Sequence, residues 1–211
     1  LAKSASPPPA LGTLPSGSVE TEVIRRPYTK FFSVREDDLR HPLFDGSLGP
    51  SVNRAAFIAA DAVVVLPYDP VRDRVHLIEQ YRMGPHFRGD PNGFLIEAVA
   101  GRIDPGETPS QAAHREAHEE AGLTLKSLHL ASSNYPSPGA LTEYLHIFVG
   151  IADLPDGIGG IGGLESEAED IRSTVLPFDE FDARLDKGGL NVGPLIIAGL
   201  WLARHRERLR G

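Results

Sequence analysis

Short apolar runs, separated by polar turn residues, occupy the middle of the chain. The runs at 55–69 and 73–82 each predict a strand, because β-branched residues are concentrated in both. The turn residues between these two runs predict that they form a hairpin. A third run, 94–103, predicts a strand that ends near Gly101, and the Gly- and Pro-containing stretch before it, 84–93, predicts a loop.

The segment after this third run carries a start signal and a stop signal for a helix. Thr108 followed three residues later by Gln111 forms a capping box, and Pro109 suits the first helical position. Gly122 suits the left-handed conformation that ends a helix. Together these signals predict a helix over 109–121.

The rest of the chain completes an α+β pattern, with strands first, one helix inside and helices at the end. The remaining predicted elements are strands near 125–133, 142–152 and 171–178, a glycine-rich and then acidic loop at 154–170, and closing helices at 178–188 and 191–210. Because strands and helices do not alternate regularly, the pattern favours α+β over a parallel α/β fold.

Changes in composition divide the chain into three parts. Residues 1–18 are rich in Pro, Ser and Ala, which predicts a tail or linker. Residues 19–56 form the second part, and its first stretch, 19–41, mixes β-forming residues with alternating charges, which predicts one or two strands. Residues 57–209 form the main domain. The sequence begins with Leu1 rather than methionine, which leaves open whether it belongs to a longer chain.

Composition narrows the possible partners. With 41% hydrophobic and 24% charged residues, the 211-residue chain has an ordinary globular composition without a membrane-span pattern. A net charge of -8 argues against a nucleic-acid partner, which would favour a basic surface. The sequence has no cysteine, which excludes disulfides and thiolate metal sites and fits a cytoplasmic protein.

Three glutamates crowd into five positions of the predicted 109–121 helix. Glu116 and Glu120 are four residues apart, so their carboxylates lie side by side, and Glu119 flanks them. Arg115 lies four residues before Glu119 and can neutralise it. Carboxylates grouped in this way suit a hard divalent cation such as Mg²⁺, which prefers oxygen ligands. A solvated helix with surface charge pairs is the competing interpretation.

The spacing of the whole segment favours the metal site. Its fixed residues are Gly101, then Glu107, then the stretch 115–123, which reads Arg-Glu-Ala-His-Glu-Glu-Ala-Gly-Leu. This resembles the Nudix box, Gly-x5-Glu-x7-Arg-Glu-U-x-Glu-Glu-x-Gly-U, where U is a bulky aliphatic residue. All the fixed residues are present, and Ala117 departs from the pattern at the first U position.

The resemblance implies a fold and a metal site. It implies the Nudix fold, a mixed β-sheet sandwiched between helices, and cleavage of a nucleoside diphosphate linked to another group. Glu116, Glu120 and the main-chain carbonyl of Ala100 would bind two or three Mg²⁺ or Mn²⁺ ions. Arg115 and Glu119 would orient these ligands, and Glu107 would brace the loop.

Residues outside the box resemble bacterial ADP-ribose pyrophosphatases, including members associated with tellurite resistance. The stretches that carry the likeness include 26–44, 66–82 and 131–148. Within them, Arg82 would face the substrate phosphates. The other substrate residues that the resemblance implies are Glu143, Ser137, Gly139, Arg54 and Phe31. Phe31 and Arg54 would enclose the adenine, with the 19–56 segment exchanged across a homodimer.

The acidic loop after the box would supply the general base. By resemblance this base falls on Glu167, and Glu169 would be a further metal ligand. Glu165 and Glu143 remain rival bases. Glycines at 157, 159, 160, 162 and 163 would let the loop move onto bound substrate.

The leading hypothesis is Mg²⁺-dependent hydrolysis of ADP-ribose to AMP and ribose 5-phosphate. A related enzyme for a nucleotide sugar, NADH or a diadenosine polyphosphate is the nearest alternative. A sensor that binds ADP-ribose-like ligands without cleaving them would be expected to have lost box carboxylates, and none is lost here. An isopentenyl diphosphate isomerase-like activity is disfavoured because such chemistry uses a cysteine.

Overall fold

The computed structural model describes residues 11–12, 14–30, 32–162 and 170–211. The chain divides into two units. One comprises the residues up to Asp61 together with Tyr135–Tyr144, and the other comprises Ala62–Asn134 together with Leu145–Gly211. Within the described part of the chain, no helix is long and apolar enough to cross a membrane.

The N-terminal unit contains an antiparallel sheet of three strands, β1 (Glu20–Thr29), β2 (Ser33–Arg40) and β3 (Val52–Ile58). Two of these strands, β1 and β2, lie within 19–41, where the sequence predicts one or two strands, and this prediction is confirmed. The sheet is thin, because all ten residues of β1 are exposed. Arg25 of β1 pairs with Glu36 and Asp38 of β2, so charge contacts link the two strands where little apolar surface is buried.

The predicted strand 55–69 is two strands in two different sheets. β3 ends at Ile58 in the N-terminal sheet, and β4 (Ala62–Asp69) begins the main sheet. The apolar run is continuous except for Asp61, which is buried at the break. Apolar continuity does not reveal which sheet a residue joins, and this is why the sequence pattern merged the two strands.

The main sheet lies in the second unit and holds eight strands among the described residues, in the order β10-β11-β5-β4-β9-β8 with β6 on β5 and β7 on β4. Only the β4–β9 pair among these is parallel. The strands after β4 are β5 (Arg74–Tyr81), β6 (Phe94–Glu97), β7 (Val99–Arg102), β8 (Ser127–Asn134), β9 (Leu145–Ile151), β10 (Gly160–Gly162) and β11 (Ile171–Pro177). The helices are α1 (Met83–Arg88), α2 (Pro109–Ala121), α3 (Phe178–Asp186) and α4 (Gly193–Arg210).

Three further predicted segments differ from the structure in the elements that they contain. The strand expected over 94–103 is interrupted at Ala98, because the chain leaves its pairing with β5 and takes up pairing with β4. The expected loop at 84–93 contains α1, which is too short to show helical periodicity in the sequence and ends at Gly89 with φ 86°. The expected loop at 154–170 contains β10, whose two glycines gave no strand signal.

Helices cover both faces of the main sheet. Leu66, Tyr68 and Val75 point to one face and form a core with α3 and α4 through residues such as Phe181 and Leu202. The opposite face packs against α2, and its core includes Val63, Val65, Val99 and the α2 alanines. The mixed sheet between helices that the sequence resemblance predicted is confirmed, as is the α+β class.

Candidate active site

Local signals in the sequence define where α2 begins and ends. The Thr108 hydroxyl accepts a hydrogen bond from the Gln111 amide at 3.3 Å, and the Gln111 side-chain oxygen accepts one from the Thr108 amide at 2.9 Å. Pro109 is the first helical residue, and Gly122 ends the helix with φ 64°. The helix therefore spans Pro109–Ala121, as predicted.

Small residues bring α2 close to the sheet. Ala112, Ala113 and Ala117 are fully buried against the core below the helix. Where the helix meets β7, the carboxylate of Glu116 occupies the space that a side chain on Gly101 would need. The Ala100 amide donates a hydrogen bond to Glu120 Oε2 at 3.0 Å. Close packing thus sets both carboxylates beside the same strand.

Arg115 binds three of the surrounding carboxylates. Its Nε and Nη2 donate to the two oxygens of Glu107 at 3.0 Å each, and Nη1 donates to Glu116 at 2.7 Å and to Glu119 at 2.9 Å. Nη2 also donates to the Arg102 carbonyl at 2.9 Å. This guanidinium offsets the repulsion among the acidic residues, which explains how the helix tolerates them.

Electrostatics at this cluster favour the charged forms. The hydrogen bonds from Arg115 hold the pKa of Glu107 below its ordinary value, and the Asp104 amide supports the same carboxylate with a bond of 3.1 Å. In return, the bonds to Glu107 first of all, and then those to Glu119 and Glu116, raise the pKa of Arg115. Glu107 consequently ties the loop before α2 to the helix.

A second charge pair lies on the same face of the sheet as α2. Arg82 Nε and Nη2 donate to the two oxygens of Glu97 at 2.7 and 2.9 Å. Glu97 is opposite Ile78 in the β5–β6 register, and Ile78 belongs to the core under α2. Sequence reasoning singled out Arg82 but missed Glu97. A glutamate inside the otherwise apolar run 94–100 was the signal that could have found it.

Gln80 is another residue that the sequence reasoning passed over. It lies two residues after Ile78 on β5 and therefore on the same face. Its side chain is buried, and its amide nitrogen has no hydrogen-bond acceptor among the residues that the structure describes. A buried donor of this kind is costly unless an acceptor reaches it. Gln80 and Arg82 thus place two donors along one strand face.

The family model described as NUDIX domain matches residues 59–195, a range that contains the entire 101–123 segment. The chain belongs to the Nudix family. It is 38% identical over 196 residues to an ADP-ribose pyrophosphatase of Escherichia coli (strain K12), covering 92% of this chain and 93% of that one. It is 34% identical over 146 residues to a GDP-mannose pyrophosphatase of Pectobacterium atrosepticum, covering 68% and 73%.

A solved structure agrees with the Nudix assignment at the level of fold. The protein described as "Crystal structure of ADP compounds hydrolase" superposes with a TM-score of 0.66 at 23% identity, covering 92% of this chain and 95% of that chain. The family recognised from the box is therefore confirmed by sequence matches along the chain and by the arrangement of strands and helices.

The Nudix carboxylates fit a hard divalent cation in their chemistry and in the space around them. Glu116 and Glu120 are buried oxygen donors one helical turn apart, and Gly101 gives Glu116 room beside β7. Within the described ranges, no three His, Asp, Glu or Cys side chains converge to hold an ion. Glu116 and Glu120 therefore offer two carboxylates beside β7, and a metal ion there would need further oxygen ligands.

Four of the other predicted site residues belong to the N-terminal unit rather than to the unit that contains α2. These four are Arg54, Ser137, Gly139 and Glu143. There the Ser137 carbonyl accepts hydrogen bonds from the Ala140 and Leu141 amides, which closes a turn around Gly139. Arg54 is exposed and donates to the neighbouring Asn53 carbonyl. The predicted residues outside the described part of the chain are Phe31, Glu165, Glu167 and Glu169.

Proposed function

We propose that this Nudix protein hydrolyses the diphosphate bond of ADP-ribose in the presence of a divalent cation. Water attacks one phosphorus, the bond from that phosphorus to the bridging oxygen breaks, and the products are AMP and ribose 5-phosphate. The observation that carries the proposal is the 38% identity to the Escherichia coli ADP-ribose pyrophosphatase over almost the whole chain. The retention of every charged residue of the box supports catalysis over ligand sensing.

Glu116, Glu120 and the Ala100 carbonyl would hold Mg²⁺ or Mn²⁺. A bound divalent cation neutralises phosphate charge and lowers the pKa of coordinated water. Arg115 keeps Glu116 and Glu119 oriented through its hydrogen bonds of 2.7 and 2.9 Å. Removing this arginine would free the carboxylates to turn away from a common point. Further metal ligands, including Glu169, and the number of ions stay predictions.

Arg82 and Gln80 would bind the phosphates. Both lie on the α2 face at the end of β5, and both offer donors suited to anionic oxygen. The amide nitrogen of Gln80 has no acceptor among the described residues, and this supports the role because a phosphate oxygen would satisfy it. Proton removal from the attacking water is assigned to Glu167 by family resemblance. Glu165 and Glu143 stay rivals for this base.

The adenine would bind in the N-terminal unit of a homodimer, between Phe31 and Arg54, with Ser137, Gly139 and Glu143 contacting the substrate. Support comes from the apolar surface of this unit: Val23, Ile24, Tyr28, Phe32 and Phe57 are each more than 40% exposed. Monomeric proteins rarely leave so much apolar surface uncovered, and a two-fold partner could bury it. The division into tail, dimerisation segment and catalytic domain, and the cytoplasmic location, also stay predictions.

A nucleotide sugar is the second candidate substrate. The specific observation in its favour is the 34% identity to the Pectobacterium atrosepticum GDP-mannose pyrophosphatase. That match covers 68% of this chain, against 92% for the ADP-ribose pyrophosphatase. The longer match includes the N-terminal unit, which we assign to the adenine, and it therefore favours ADP-ribose.

A substrate panel tests the proposed function. Purified protein is incubated with Mg²⁺ and ADP-ribose, GDP-mannose, NADH or diadenosine polyphosphate, and the products are separated by chromatography. We expect ADP-ribose to give AMP and ribose 5-phosphate at the highest kcat/KM, and excess chelator to abolish turnover until Mg²⁺ or Mn²⁺ is restored. Preferred cleavage of GDP-mannose would select the second candidate. Tight binding of ADP-ribose without any product would select the sensor.

A further inference from the structure

We propose that Glu97 is a positioning residue, which holds the guanidinium of Arg82 in the orientation that meets the substrate phosphates. The proposal rests on the proposed function, because it takes Arg82 to be the phosphate-binding arginine. It assigns a role to a residue that the sequence pattern did not single out, and it explains why a buried carboxylate lies close to a site for anions.

Arg82 and Glu97 form a bidentate ion pair, called the fork below. Two guanidinium nitrogens donate to two carboxylate oxygens at 2.7 and 2.9 Å, which fixes the plane of the guanidinium as well as its position. The Glu97 side chain is 10% exposed and that of Arg82 is 41% exposed. The carboxylate is thus an internal anchor, while the guanidinium reaches the surface.

The main chain of Arg82 is fixed independently of the fork. Its amide donates to the Gly93 carbonyl at 2.8 Å, at the point where β5 ends. Arginine has several rotatable side-chain bonds, and ordering them at the moment of binding costs affinity. With the main chain and the guanidinium both held, much of this ordering is complete before substrate arrives.

The pair belongs to the same side of the sheet as the metal-binding carboxylates. Glu97 is in register with Ile78, whose side chain packs in the core under α2. Val99, two residues after Glu97, packs in that core too, and Gly101 directly faces Glu116. One short stretch of chain therefore carries both the anchor for Arg82 and the glycine that admits Glu116.

Charge alone cannot be the reason for Glu97. A carboxylate near two bound phosphates repels them, so a negative charge here would weaken substrate binding if it acted only through the electric field. Two models of Glu97 then make opposite predictions for Glu97→Gln. If Glu97 is merely a nearby charge, its removal lowers KM, whereas if it positions Arg82, its removal raises KM.

Steady-state kinetics of Glu97→Gln, Arg82→Ala and the double variant test the proposal. We expect KM for ADP-ribose to rise about tenfold in Glu97→Gln, the size of one charge-assisted hydrogen bond, with kcat changed less than about threefold. The double variant should be no worse than Arg82→Ala, because Glu97 acts only through that arginine. An unchanged or lower KM in Glu97→Gln, or additive effects in the double variant, would overturn the proposal.

Asp73→Asn is the matched control. Asp73 is a partly buried carboxylate that pairs with Arg206 and Arg210 on α4. Its replacement makes the same chemical change away from the phosphate-binding residues and should lower the melting temperature without altering KM. If Glu97→Gln does not fold, Glu97→Asp replaces it. Aspartate keeps the charge, but its shorter side chain holds the Arg82 guanidinium less closely, so we expect a smaller rise in KM.

A measurement without turnover separates this proposal from the proposed function. In protein labelled with ¹⁵N-arginine, the Nε–H signal that disappears in Arg82→Lys belongs to Arg82. It should exchange slowly with water in the wild type and rapidly in Glu97→Gln. ADP, used as an uncleaved probe in calorimetry, should bind about tenfold more weakly to Glu97→Gln. Failure to cleave ADP-ribose would refute the function alone, whereas equal exchange and equal ADP affinity would refute the positioning role.

Discussion

The carboxylate of Glu116 lies where the side chain of residue 101 would stand if residue 101 were not glycine. The two residues belong to different elements, the helix α2 and the strand β7. No local sequence pattern, such as helical spacing, predicts their contact. Their contact shows what the first glycine of the box contributes. It provides the volume in which the carboxylate of Glu116 lies against the sheet.

Gly101→Ala should therefore displace Glu116 while leaving most of the protein folded. We expect kcat to fall by about 10²-fold or more, because the carboxylate can no longer hold its position. Gly193→Ala is the control, since a β-carbon there meets nothing within 4 Å. Both variants are compared by steady-state kinetics and thermal unfolding. Full activity in Gly101→Ala would mean that the position of Glu116 is not critical.

Replacement of Glu120 by glutamine should remove the charge that we propose binds a metal ion, without a large change in shape. The amide oxygen of glutamine can still accept the hydrogen bond that Ala100 donates to Glu120 at 3.0 Å. We expect a kcat loss of about 10²-fold or more, with a nearly unchanged melting temperature. Titration of activity with Mg²⁺ should also require higher concentrations. Wild-type turnover at wild-type Mg²⁺ would exclude Glu120 from the metal centre.

Two of the three candidate bases, Glu167 and Glu143, should differ in which kinetic constant they control. If Glu167 activates the water, Glu167→Gln lowers kcat strongly and leaves KM nearly unchanged, because the lost interaction belongs to the transition state. Glu143→Gln should mainly raise KM, because the lost contact is to bound substrate. The reverse pattern would move the base to Glu143.

The exposed apolar residues of the N-terminal sheet predict a dimer. Size-exclusion chromatography with light scattering at micromolar concentration should give twice the chain mass of 22.8 kDa. Replacing Ile24 and Phe57, 53% and 47% exposed, with serine should shift the equilibrium towards monomer. A wild-type monomer with full activity would rule out an adenine site shared between subunits.

Buried His76 should make stability depend on pH between about 6.5 and 4. Burial lowers the pKa of His76 from 6.5 to about 4. Above pH 6.5 the side chain is neutral in both states. Below it, the unfolded chain takes up a proton that the folded chain does not, so the free energy of unfolding falls until about pH 4. The contribution of His76 to this fall is about 3 kcal/mol.

Urea unfolding of the wild type and of His76→Leu at several pH values measures this effect. Both ring nitrogens of His76 lack hydrogen-bond partners among the described residues. Leucine should therefore fill the position without leaving a buried polar group of another residue unsatisfied. Other groups titrate equally in the two proteins, and the difference between their curves isolates His76. Parallel curves from pH 7 to 4 would contradict a neutral buried imidazole.

The sequence predicted best where the controlling interactions are local. The limits of α2 follow from Thr108, Gln111 and Gly122, which act within one helical turn, and the structure places the helix over Pro109–Ala121. The contact of Arg115 with Glu119 follows in the same way from a four-residue spacing. Such interactions can be inferred without knowing the rest of the fold.

The sequence predicted less where a residue's role depends on its partner in another strand. The change of pairing at Ala98 and the boundary between β3 and β4 are decided by which sheet each segment joins. Glu97 was missed for the same reason, since its importance comes from Arg82, fifteen residues earlier. Long-range pairing of this kind leaves no periodic signal in the chain.

The interruption at Ala98 has a consequence for how this protein can change over evolutionary time. Glu97 and Gly101 are four residues apart. They lie on either side of the point where the chain stops pairing with β5 and begins to pair with β4. Inserting or deleting one residue between them would turn one half of this stretch over and expose Val99 or bury a polar group. Substrate preference can change through substitutions, insertions and deletions in the loops. Between Glu97 and Gly101, however, we expect the chain to tolerate substitutions but no insertion or deletion.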